Sequence, residues 1–160
     1  MTTRILGLII NIVTFFLFIT PLANLAFIAL QANILNMTLV DFLTYSNWAL
    51  LYLLATLCIP VTAILMQVKW RKARIFKRHA KDYFCLSLFL IIVSLILMGE
   101  YYMVIPMLFL FLASKYPLGI KYTEAFDRLR ETASIRNLVG EWLILFVAIA
   151  VRIYIFTSLL

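Results

Sequence analysis

The distribution of basic residues constrains this chain most. Seven of its fourteen Lys and Arg residues, Lys69, Arg71, Lys72, Arg74, Lys77, Arg78 and Lys81, lie between Gln67 and Asp82, and five more lie between Lys115 and Asn137. Long apolar runs flank both stretches, and only Arg4 and Arg152 fall elsewhere. Apolar runs of span length need a lipid surround, and short basic loops are retained on the cytoplasmic side of a membrane. The pattern predicts an all-α, polytopic transmembrane helical bundle with a cytoplasmic N-terminus. Composition agrees: the chain is 66% hydrophobic, where an ordinary globular chain is roughly 45 to 50% apolar. Its 160 residues can make four or five spans and little else, so one membrane domain over 1–160 is expected. The net charge of +7 comes almost wholly from the two loops. It points to anionic phospholipid headgroups and not to nucleic acid.

The run from Ile5 to Leu30 would be about 39 Å long as a helix, more than the ~30 Å hydrocarbon core. It must tilt, bend or protrude, and Pro21 frees the Leu17 carbonyl within it. The run is too long for a signal-peptide core and lacks an A-x-A site, which predicts an uncleaved first span. Gln31 to Asn47 contains no Lys or Arg and is placed outside, with a short surface helix over Thr38 to Tyr45. Asn36-Met37-Thr38 there fits a glycosylation sequon. Trp48 to Met66 is a second span in which Pro60 frees the Thr56 carbonyl. In the basic segment that follows, Trp70, Ala73, Phe76 and Ala80 recur at helical spacing. That spacing predicts a helix with one face against lipid headgroups or a neighbouring span.

Tyr83 to Pro117 would be about 52 Å long as one helix. Gly99, Glu100, Tyr101 and Tyr102 interrupt it and Pro106 follows, so we read two short helices meeting at an outer turn near Gly99. Five spans result, at about 5–30, 48–66, 83–98, 102–117 and 138–160, with the basic loops 67–82 and 115–137 both cytoplasmic. One tilted helix from Tyr83 to about Ala113 would instead give four spans and turn the second loop outward. Five spans place the Trp and Tyr residues near a membrane boundary, where these side chains collect. In the second loop, Tyr122, Phe126, Leu129 and Ala133 mark one side of an amphipathic helix, with Glu124 and Arg128 spaced to pair.

An ionisable residue inside the bilayer costs about 2.5 to 3.5 kcal/mol even on insertion scales, which makes it a functional candidate. Arg152 and Glu100 lie about 21 and 25 Å along helices that start from the same face. That depth match predicts an ion pair; the alternative is that Arg152 snorkels while Glu100 occupies a wet turn. Glu141 and Arg152 share a helix face with Leu145 and Ala148, which should look into a bundle or oligomer interior. Asn11, Thr14, Asn24 and Gln31 give the first span a polar side, and Thr56 and Gln67 share one on the second. Interhelical hydrogen bonds are the ordinary reading, and a hydrated pocket between these spans is the functional one. Cys58 and Cys85 read as packing residues. His79, the only histidine, lies among cations without visible metal-binding partners.

No catalytic, cofactor-binding or metal-binding residue is identified. HExxH, GxSxG, a Gly-rich phosphate loop and a Mg²⁺-type acidic pair are missing from the sequence, and Asp127 with Glu131 reads as a solvated helix face. The leading expectation is a non-enzymatic membrane subunit acting through protein partners, with the basic residues of the 67–82 segment contacting lipid or partner. Compact loops suggest a bacterial inner membrane, where small polytopic proteins often serve as anchors or sensors for a partner or in immunity, exclusion or phage defence. A small oligomeric channel or transporter, built around the Glu141 and Arg152 face or the kinked first spans, is the second expectation. A lipid-modifying enzyme is the third.

Overall fold

A computed structural model describes residues 2–75, 78–130 and 132–158. Every described element is helical. In chain order they are α1 (Thr3–Ile34), α2 (Leu39–Tyr45), α3 (Asn47–Leu57), α4 (Ile59–Ile75), α5 (Arg78–Met98), α6 (Tyr101–Leu118), α7 (Tyr122–Asp127), a 3₁₀ turn (Arg128–Arg130), α8 (Thr132–Asn137) and α9 (Val139–Ser158). Among the described residues, five helices are long and apolar enough to cross a membrane: α1, α3 continued by α4, α5, α6 and α9. This is the composition of a multi-pass membrane protein.

Local chemistry sets the breaks. Proline lacks an amide donor and cannot continue the ladder before it; with Pro60 in place, the helix divides at Cys58, between α3 and α4. The Thr38 hydroxyl caps α2 by accepting the Asp41 amide at 3.2 Å, satisfying a first-turn donor that the helix itself leaves unmet. Between α5 and α6 the chain reverses through Gly99, whose φ of +84° is costly for residues with a Cβ. Two short helices therefore meet at the anticipated place. Gly119, at φ +63°, ends α6, and Ile120 N donates back to the Lys115 carbonyl at 3.1 Å, a glycine helix stop.

Helix α5 is the axis of the bundle. Of its apolar stretch 67% is buried, against 22 to 39% for the other four, and α4, α6, α7 and α9 pack around it. Phe84, Leu88, Ile91 and Leu95 of α5 join Leu6 and Leu17 of α1, Met66 of α4 and Met107 of α6 in the main core. The outer faces are equally apolar: Leu22, Ile105 and Phe146 are 66, 73 and 72% exposed. A chain apolar both inside and out is suited to lipid and not to water.

The segment read as a loop over 67–82 is two helix ends. Helix α4 runs on to Ile75 and α5 begins at Arg78, in keeping with the high helix propensity of Lys and Arg. Trp70 and Ala73 are buried, and the Trp70 ring lies 5.6 Å from Phe84. That face therefore meets a neighbouring span and not headgroups; Phe76 lies outside the described residues. In the second basic stretch, Phe126 packs edge-on against Phe89 at 4.9 Å. Tyr122 stacks on Phe111 at 4.9 Å and donates its hydroxyl to the Phe111 carbonyl at 3.1 Å. Burial raises the Tyr122 phenol above its ordinary pKa, which keeps it a donor.

Candidate functional site

Two buried carboxylates mark opposite ends of the bundle. Glu141 stands in the first turn of α9, where the helix dipole favours a negative charge, and is 1% exposed. The Ser87 hydroxyl of α5 donates to its Oε1 at 2.6 Å, and the Lys69 ammonium of α4 lies 3.8 Å from the same oxygen. Lys69 also donates to the Asn137 carbonyl just before α9. Glu141 Oε2 has no hydrogen-bond partner among the described residues. Nearby, Arg128 Nε lies 2.9 Å from Asp82 Oδ2, which ties the 3₁₀ turn to the start of α5.

Glu100 is 0% exposed at the α5–α6 turn. Asn24 of α1 donates its amide to Glu100 Oε1 at 2.8 Å, and the Tyr102 hydroxyl donates to Asn24 Oδ1 at 3.2 Å. The hydroxyls of Tyr52 and Tyr102 also interact with the carboxylate, although Oε2 makes no hydrogen bond of good geometry. Four helices, α1, α3, α5 and α6, thus converge on one acid.

Arg152 does not join it. It is exposed on α9, so the anticipated Glu100–Arg152 pair is replaced by the Asn24 contact, and Glu100 lies in a buried turn. The α9 face shared with Glu141 looks inward through Ala148, as expected, and turns out of the bundle by Arg152. Thr56 is buried, but its hydroxyl donates to the Leu53 carbonyl within its own helix at 2.8 Å. The polar sides of the first two spans do meet: Gln67 Nε2 donates to Asn11 Oδ1 at 3.1 Å and to Thr14 Oγ1 at 2.8 Å.

The basic residues divide by direction around α4. Lys69, grouped by sequence with the exposed bases, is turned inward, whereas Arg71, Lys72 and Arg74 are exposed and Lys81 is half-buried. Lys77 and the side chain of Arg78 lie outside the described residues. On one side of α4, a cavity of about 460 Å³ is bounded by Lys69, Lys72, Ile75, His79, Tyr83 and Asn137. On the other, a cavity of about 610 Å³ opens between α4 and the start of α1, with Arg4, Asn11, Gln67, Arg71 and Arg74 on its walls and Trp70 on its floor. Among the described residues, no group of three or more His, Cys, Asp or Glu could hold a metal ion.

Sequence reading missed Ser87, Asp82 and the grouping of Arg4 with Arg71 and Arg74. Ser87 carried a usable signal, because Ser87 and Ser94 are polar positions seven apart in the otherwise apolar stretch from Phe84 to Met98. No protein-family model matches the chain, and neither a curated protein nor a solved structure is significantly similar to it.

Proposed function

We propose that this protein is a non-enzymatic membrane subunit that crosses the bilayer five times and binds a protein partner through its cytoplasmic basic face. Retention of positive charge places the α4 end and the N-terminus inside, and compact connections favour a bacterial plasma membrane as the setting. The observation that carries the reading is the cavity of about 460 Å³ beside α4, with the cations Lys69 and Lys72 on a wall otherwise formed by Ile75, His79, Ala80, Tyr83 and Asn137. Ile75 is 75% exposed there. An apolar wall edged by positive charge complements a partner segment that alternates acidic and apolar residues. The buried acids support the same reading: Asp82, Glu100 and Glu141 each join helices to one another, a use in scaffolding.

The test is purification from native membranes, identification of the co-purifying protein, and reconstitution with that protein in pure form. Binding is expected to fall in Ile75→Glu and Lys72→Glu and to persist in Arg4→Gln. A protein that purifies alone and conducts ions in liposomes would replace this reading with an oligomeric channel.

A further inference from the structure

We infer that the cavity between α1 and α4 is a binding site for the phosphodiester headgroup of an anionic phospholipid. Arg4, Arg71 and Arg74 line it from two helices, Gln67 and Asn11 add amides, and no acidic side chain among the described residues borders it. None of the three arginines has an ion-pair partner among the described residues. Planar guanidinium groups bind phosphate oxygens two at a time, so three around one cavity of about 610 Å³ surround an anion of headgroup size. The start of α1 adds to the field. Thr3, its first residue, lines the cavity, and its N-cap Thr2 makes no side-chain hydrogen bond, leaving first-turn amides and the positive helix end available to an anion.

The bases alone would attract any anion; what lies above them selects a lipid. Along α1 the stripe toward the cavity reads Arg4, Leu8, Asn11, Phe15, and along α4 it reads Arg74, Arg71, Gln67, Ile64. The α4 stripe passes from cationic through amide to apolar over about 15 Å of helix, and the α1 stripe runs from cation to aromatic over about 17 Å with Leu8 and Asn11 between. Leu8, Phe15 and Ile64 are 60, 62 and 52% exposed. An amphiphile with its phosphate among the arginines would lay its acyl chains on these residues, so each part of the ligand meets its own kind of surface. This site lies on the opposite side of α4 from the proposed partner cavity and shares with that proposal only the placement of the basic end at the bilayer surface.

The experiment is native mass spectrometry of the full chain released from mixed micelles of phosphatidylglycerol and phosphatidylcholine. Wild type is expected to retain phosphatidylglycerol in preference to phosphatidylcholine. Arg4→Gln, Arg71→Gln and Arg74→Gln should each weaken retention, and the triple variant should lower it about tenfold or more. Lys72→Gln, which removes the same unit charge from the other side of α4, should leave it unchanged. Arg4 is exposed in the first turn of α1, outside the packed core, so Arg4→Gln reports on the site even if the triple variant does not fold. Equal losses from Lys72→Gln and Arg4→Gln would overturn the site in favour of diffuse attraction. Displacement of the lipid by equimolar inorganic phosphate would overturn the lipid in favour of a free anion.

Discussion

Glu141 and Glu100 are both almost wholly buried, at 1% and 0% exposure, yet they are held by different chemistry. Glu141 has a cation, Lys69, a hydroxyl from Ser87 and a helix N-terminus. Glu100 has an amide from Asn24 and the phenols of Tyr52 and Tyr102, all neutral. The cause lies in the charge map. At the basic end α4 continues past its apolar stretch and offers a lysine that can turn inward. At the other end, Gln31 to Asn47 contains no Lys or Arg at all, and Arg152 is exposed. The distribution of charge that orients the chain thus also decides what is available to satisfy a buried acid.

The contrast can be broken most sharply at Lys69. Lys69→Met removes the cation and leaves Glu141 in a dry site, and is expected to cost about 3 to 5 kcal/mol in unfolding measured in detergent. Adding Glu141→Gln to Lys69→Met should recover most of that loss. If it does not, Lys69 acts through the Asn137 carbonyl and not through the acid. Glu100→Leu is expected to cost less, about 1 to 3 kcal/mol, because it orphans neutral groups and not a charge. Glu100→Gln keeps an acceptor for Asn24 and should stay within about 1 kcal/mol of wild type. A cost for Glu100→Gln as large as that of Lys69→Met would show that the two ends are alike after all. The smallest effect is expected at Arg152: Arg152→Gln should change unfolding by no more than about 0.5 kcal/mol, and a larger loss would mean that Arg152 makes a contact at the far end.

Features that depend on local chemistry could be read in advance. The reversal at Gly99, the short helix capped by Thr38 and the break near Pro60 each follow from one or two residues and their neighbours. Features that depend on rotation about a helix axis could not. Lys69 and Arg71 are two positions apart and alike in carrying a positive charge, and which one turns inward is decided by Asn137 and Glu141, some seventy positions along the chain. Glu100 was found as an unusual residue, but its depth match with Arg152 could not reveal that Asn24 lies nearer. The helical character of the basic segment was legible in the spacing of Trp70 and Ala73 and in propensity, since Lys and Arg favour helix; that α4 and α5 carry it as extensions of the flanking spans was not.

The central position of α5 bears on how the molecule is built during synthesis. Its Leu86 and Leu90 are covered together with Leu138, and its Ser87 is engaged by Glu141, so α9 and the turn before it close a surface that emerged from the ribosome some fifty residues earlier. Until α9 arrives, the axis of the bundle remains open to lipid on one side, and Lys69 lacks its buried acid. Arrival of α9 therefore adds a helix, neutralises a charge and seals that side of the core together.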